Sequence, residues 1–246
     1  MIVEDLTGIQ PGRCIGGTRG LTMLIWHFST VPVIGQHPLL QSKIGSFVLN
    51  IVTVCTGNIC RSPLAEQLLS NRFAELDVNV SSAGTRARAG MPMTSETVAL
   101  AVARGVNREK ALRHRSASLI PSTLSGIDLA IAMSREHRRQ IVETQPSLTR
   151  TTFTARELAR LLDSVGDTDL HSAMATAGSD PRHRLSLALS RIASLRGLVT
   201  PLATPEDDDI IDPYGRSRRT YDIAAAQLDS TIAPVERLIR LALGGN

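Results

Sequence analysis

The chain has 246 residues, 42% of them hydrophobic but only 3% aromatic, and a formal net charge of +4. That length suits one generous domain with appendages, and its core must be mostly Leu, Ile, Val and Ala. Three cysteines, Cys14, Cys55 and Cys60, are too few for a disulfide framework and fit a reducing, cytoplasmic setting. No Cys/His cluster has zinc spacing, so no metal is expected. The small positive balance weakly favours anionic ligands. Nucleic acid is not expected, because the basic residues lack interleaved aromatics and match no nucleic-acid motif. Arg135, Arg138 and Arg139 read as one solvated helix face.

In chain order, residues 1–46 fit poorly with the rest of the chain. The apolar run LTMLIWHFSTVPVIG (21–35) is shorter than the ~20 residues of a membrane span and contains Pro32 and Gly35. The chain opens with Glu4 and Asp5, not with the basic region of a signal peptide. The expectation is a poorly ordered extension with no membrane role. From Phe47 the pattern is regular: FVLNIVTV reads as a strand buried on both faces. Ser62-Pro63 then reads as an N-cap followed by proline in the first helical turn. VNVSSAG (78–84) reads as a strand, 94–105 as a helix stopped by Gly105, IDLAIAM (127–133) as a buried strand, and SREHRRQIV as a helix. FTARELARLL (153–162) is helical by period. The stretch GDTDLHSAMATAGSDPRHR reads as an exposed loop, with a short amphipathic helix through Leu185, Leu189, Ile192 and Leu195. Residues 220–243 read as a long terminal helix or helix pair, interrupted near Pro234. Alternating strands and helices predict an α/β fold: three layers, with a mostly parallel four-stranded sheet and helices on both faces. The domain is expected over 47–246, with an insertion at about 163–206.

Residues 54–63, VCTGNICRSP, place Cys55 at the end of the first strand and Arg61 six positions on. A strand, a glycine-containing loop and a helix N-terminus are the parts of a phosphate cradle. Loop amides of Thr56, Gly57, Asn58, Ile59, Cys60 and Arg61 would converge on an anion, and the Arg61 fork matches phosphate oxygens. The same field favours the Cys55 thiolate, a nucleophile aimed at phosphorus, and predicts a phosphocysteine intermediate. Asn58 tolerates the left-handed backbone that turns loop amides inward. Cleaving a P–O bond also needs a proton donor. Two Asp-Pro pairs compete for that role, Asp180-Pro181 and Asp212-Pro213. Asp207, Asp208 and Asp209 read as a solvated acidic run.

VCTGNICRSPLAE closely resembles the signature of the low-molecular-weight protein tyrosine phosphatases. SSAGT (81–85), HRSASL (114–119), DLAIAMSREH (128–137) and DIIDPYGRSRRTYDIAA (209–225) are similar to further segments of that family, in family order. The likeness covers 47–160 and 207–243. It implies the phosphatase-I-like fold, no cofactor and a monomer. It implies hydrolysis of phosphotyrosine on proteins, among them a bacterial tyrosine kinase, with Cys55 as nucleophile and Arg61 stabilising the transition state. It selects Asp212 over Asp180 as general acid, and makes Ser62, Ser82, His114 and Asn58 a network behind the loop. Tyr214 becomes one wall of the substrate slot and Arg88, where relatives have an aromatic or bulky residue, the other. Cys60 becomes a redox partner for Cys55. Related readings are a protein-arginine phosphatase, which tends to carry Thr at the position of Ile59, and an arsenate reductase, which needs a cysteine after Cys60. A non-catalytic phosphoprotein-binding module would require loss of the nucleophile or the acid, and both are present.

Overall fold

The computed structural model describes residues 48–200 and 202–244. The expected N-terminal extension, with its apolar run and Cys14, lies outside the described residues.

Strand β1 (Leu49–Cys55) is the centre of the sheet. It pairs in parallel with β2 (Val78–Gly84) on one side and β3 (Leu129–Ala132) on the other, and β4 (Thr152–Thr154) adds to β3. The order is therefore β2-β1-β3-β4, and every pairing is parallel. β1 is flanked by strands on both edges and by helices on both faces, which is why its sequence is apolar almost throughout. Its side chains alternate. Leu49, Ile51 and Cys55 join the larger core, while Val52 and Val54 join Leu124, Ile141 and Leu148 on the opposite face. The chain leaves β1 towards β2 and later returns to β3 on the other side. The carboxyl end of β1 is thus the point where strand order reverses, and ligands of doubly wound sheets bind there.

Eight α-helices occur among the described residues. α1 (Arg61–Arg72) follows β1, and α2 (Ser95–Ala103) is capped by Thr94. Gly105, at φ 83°, turns the chain after α2, as its position suggested. α3 (Arg108–Arg113), capped by Asn107, escaped the sequence reading because six residues hold too little period. β4 escaped for the same reason. α4 (Arg135–Thr144) is capped by Ser134, and α5 (Ala155–Asp163) opens with a reciprocal Thr154/Glu157 cap.

Several expectations require correction. The polar stretch after Val165 is not an exposed loop. It forms α6 (Asp167–Met174), a short 3₁₀ turn and the start of α7 (Pro181–Ser194). Leu170 and Met174 lie one turn apart on α6, and both are buried while the polar residues face out. On α7, Leu185, Ala188, Leu189 and Ile192 are fully buried in the same core as the sheet. Asp180 caps α7 by accepting from the Arg182 amide, and Pro181 occupies the first helical position. The terminal helix α8 (Arg218–Ala242) runs through Pro234 without interruption. Proline removes one N–H, but Thr231, Ile232, Val235, Leu238 and Ile239 around it are buried and hold the helix to the core.

Two charged groups also differ from expectation. Asp207, Asp208 and Asp209 are not a solvated run. Asp207 accepts from the Thr204 amide, Asp208 pairs with Arg160 at 3.0 Å, and Asp209 accepts from the Arg135 amide at 2.8 Å. Arg135 and Arg138 are not a free solvated face either. Arg135 binds Glu206 and Asp209, and Arg138 donates to the Thr152 carbonyl. Only Arg139, paired with Glu136 and Glu143 on its own helix, lies as expected.

Candidate active site

The loop from Cys55 to Arg61 turns tightly over the carboxyl end of β1. Asn58 sits at φ 55°, the one non-glycine residue with positive φ among the described residues. That conformation brings its amide to 3.2 Å from Cys55 Sγ. Asn58 tolerates it because every polar group it owns is used. Nδ2 donates to Ser62 Oγ at 3.0 Å and to Ser82 Oγ at 2.7 Å, Oδ1 accepts from the Ala117 amide, and its carbonyl accepts from His114 Nε2 at 2.9 Å. Ser82, His114 and Ser62 thus meet behind the loop. Glu66, which the sequence reading missed, completes the network. It accepts from Ser82 Oγ at 2.5 Å and lies 3.6 Å from His114 Nδ1.

Ser62 is not the N-cap that the sequence suggested. α1 starts two residues earlier, with Cys60 at the cap and no side-chain cap bond. The Ser62 hydroxyl is turned instead onto Cys55 Sγ, 3.0 Å away. Cys55 Sγ therefore accepts two hydrogen bonds, an arrangement that suits a thiolate. Gly84, at the end of β2, permits this crowding. A Cβ there would lie 2.6 Å from the Thr56 carbonyl and 2.9 Å from the Asn58 amide.

Arg61 is 6% exposed. Its Nη1 donates to the Ile210 carbonyl at 3.2 Å, and Nη2 reaches Asp212 Oδ2 at 2.6 Å and Thr56 Oγ1 at 3.5 Å. Its Nε is buried without a hydrogen-bond partner among the described residues. A buried guanidinium donor left over in a ring of loop amides is what an anion site presents. Thr56 Oγ1 is also 2.9 Å from Nε2 of His137, whose Nδ1 is 2.7 Å from Ser134 Oγ. Burial, and then the adjacent Arg61 charge, lower the His137 pKa to about 4, so its imidazole is neutral. The sequence offered no sign of this, since His137 is one polar residue on a polar helix.

Asp212 follows a stretch pinned at several points. Ile210 donates to the Met133 carbonyl, Ile211 to Gln227 Oε1, and Asp209 holds the start of α4. Asp212 Oδ1 accepts from the Tyr214 amide at 3.2 Å. Both Asp212 and Tyr214 line the same cavity, of about 290 Å³, as Cys55, Thr56, Gly57, Ile59, Cys60, Arg61 and Arg88. Arg86 and Met91 line it too and were not anticipated. Asp180 is not part of it. Its helix meets the other end of β1, where Arg182 donates to the Val48 carbonyl. Cys60 is buried, with Sγ 3.7 Å from both Thr94 Oγ1 and Tyr221 OH, and burial raises its pKa.

A family model described as low molecular weight phosphotyrosine protein phosphatase matches residues 50–172. A probable low molecular weight protein-tyrosine-phosphatase EpsP of Ralstonia solanacearum is 35% identical over 111 residues, spanning 45% of this chain and 73% of the relative. A protein-arginine-phosphatase of Bacillus subtilis is 38% identical over 100 residues, spanning 39% of this chain and 63% of the relative. The solved low molecular weight protein tyrosine phosphatase from T. tengcongensis superposes with a TM-score of 0.52 at 26% identity, covering 76% of this chain and 97% of that one. The solved structure shares the fold, and with the family model matching half of the chain, this chain belongs to the low molecular weight phosphotyrosine protein phosphatase family.

Proposed function

We propose that the chain hydrolyses phosphotyrosine on proteins, with Cys55 as the nucleophile, Arg61 as the transition-state clamp and Asp212 as the general acid and base. The observation that carries the reading is Cys55 Sγ at the floor of the loop, bonded by Asn58 N–H and Ser62 O–H beside the unpartnered Arg61 Nε. A phosphate entering the loop takes Arg61 through Nε and Nη2 and so competes with Asp212 for Nη2. The Cys55 thiolate attacks phosphorus, the P–O bond to the tyrosine breaks, and protonated Asp212 delivers its proton to the leaving oxygen. Asp212, now a carboxylate, takes a proton from water as that water attacks the phosphocysteine. Phosphate leaves, and the thiolate returns to its two donors.

Tyr214 and Ile59 supply apolar surface for an aromatic ring. Ile59 offers no hydroxyl to a guanidinium, which favours phosphotyrosine over phosphoarginine. The likeness to a protein-arginine-phosphatase makes phosphoarginine the competing substrate for the test. Turnover of phosphotyrosyl and phosphoarginyl peptides, measured side by side, should favour the first. A preference for phosphoarginine would overturn the substrate assignment and leave the chemistry standing. We place the enzyme in the cytoplasm, with phosphotyrosine-bearing proteins, including a bacterial tyrosine kinase, as its substrates. Among the described residues no helix is long and apolar enough to cross a membrane.

A further inference from the structure

We propose that Arg86 and Arg88 form a subsite for an acidic side chain, Asp or Glu, that flanks the phosphotyrosine of a substrate protein. The inference rests on the phosphatase reading and adds what the substrate carries beside its phosphate.

Both arginines line the cavity mouth and both are exposed. Their segment is held against the phosphate loop by its backbone. Arg86 donates to the Thr56 carbonyl at 2.9 Å, and the Arg88 carbonyl accepts from Ser116 Oγ at 2.5 Å. The guanidiniums are therefore displayed from a fixed base, which lowers the entropy cost of using them. Neither makes an ion pair or side-chain hydrogen bond among the described residues. Some arginines elsewhere on this surface find carboxylates, as Arg104 does with Asp229, Arg160 with Asp208 and Arg196 with Glu157, and others such as Arg108, Arg150 and Arg219 do not. Of the arginines without a side-chain partner among the described residues, Arg86 and Arg88 are the two that line this cavity. The cavity wall holds one carboxylate, Asp212, and it is already bonded to Arg61. Two unmatched positive charges thus remain at the mouth.

The phosphate itself is served at the floor by the loop amides and Arg61. A substrate backbone crossing the mouth would carry its neighbouring side chains past Arg86 and Arg88, and a guanidinium fork fits a carboxylate in a bidentate manner. Exposed pairs of this kind give modest affinity, so the expected signature is selectivity that weakens with salt.

The test uses the full chain carrying Cys55→Ser, which should hold phosphopeptides without turning them over. Its affinity is measured by fluorescence polarisation for three phosphotyrosyl peptides, identical except for Glu, Gln or Lys on both sides of the phosphotyrosine. The Glu peptide should bind about 3- to 10-fold more tightly than the Gln peptide, and the Lys peptide more weakly still. Adding Arg86→Gln and Arg88→Gln should bring the Glu-to-Gln ratio close to one. Equal binding of the Glu and Gln peptides in the first variant would overturn the subsite, as would a ratio that survives loss of both arginines. An equal loss for all three peptides would overturn it too, because the arginines would then serve the phosphate alone. Turnover of p-nitrophenyl phosphate by the unsubstituted chain, a substrate with no flanking residue, tests the phosphatase reading separately.

Discussion

Asp212 Oδ2 lies 2.6 Å from Nη2 of Arg61, although 151 positions separate the two residues in the chain. The guanidinium is buried while the carboxylate side chain is 53% exposed. The pair ties the loop after Ile210 to the phosphate loop. In the proposed mechanism it would set phosphate and Asp212 in competition for one donor, coupling the proposed clamp and proton donor through a single hydrogen bond.

Asp212→Asn should slow aryl phosphates in proportion to how poor the leaving group is, by roughly 10²–10⁴ at the poor end. Asp180→Asn should leave kcat unchanged and cost little stability, because an asparagine oxygen caps α7 about as well as the carboxylate does. A Brønsted series on both variants separates the two carboxylates, and the reverse pattern would reassign the acid.

Arg61→Lys should impair turnover severely, because a point charge cannot reproduce the fork, while Cys55→Ser should abolish turnover and keep vanadate binding. Isothermal titration with vanadate reads the cradle independently of the nucleophile. Loss of binding in Cys55→Ser would mean that the thiol is part of the anion site and not only its reagent.

His137 makes stability depend on pH. Its folded pKa is about 4 through burial and the Arg61 charge, with Asp212, Asp209 and Glu136 opposing weakly. The unfolded chain, with an ordinary histidine, binds a proton first as pH falls, so folding stability is lost between about 6.5 and 4. At about 1.4 kcal/mol per unit the loss is on the order of 3 kcal/mol. Melting temperatures across that range should fall less steeply in His137→Gln, which keeps an acceptor for Thr56. Identical slopes would show that His137 titrates freely.

Peroxide should inactivate the enzyme reversibly through a Cys55–Cys60 disulfide, formed when the Cys60 thiolate attacks oxidised Cys55. Burial raises the Cys60 pKa, so disulfide formation should speed up as pH rises above neutrality. Non-reducing peptide maps at several pH values would show it. Thiol recovery that is equally complete in Cys60→Ala would remove Cys60 from the protection.

The sheet was legible because β1 and β3 are buried on both faces and announce themselves as apolar runs. The loop was legible because one cysteine, one asparagine and one arginine stand between a strand and a helix. The features that stayed hidden are set by contacts across the chain. Ser62 looked like a cap because caps are local, and only the folded loop turns its hydroxyl to Cys55. Glu66 on α1 and His137 on α4 look like surface residues until the fold brings Ser82 and His114 to the first and Thr56 to the second. The helix at 167–174 was masked by its polar residues, since two apolar side chains one turn apart are a weak signal. Arg86 and Met91 join the site only because β2 ends beside β1.

The most direct test of the account is rapid-quench mass spectrometry on the unsubstituted chain in a single turnover of a phosphotyrosyl peptide. One phosphoryl group should appear on Cys55 before free phosphate and decay as phosphate is released. Phosphate release with no phosphoryl group on Cys55, or with one on another residue, would contradict it.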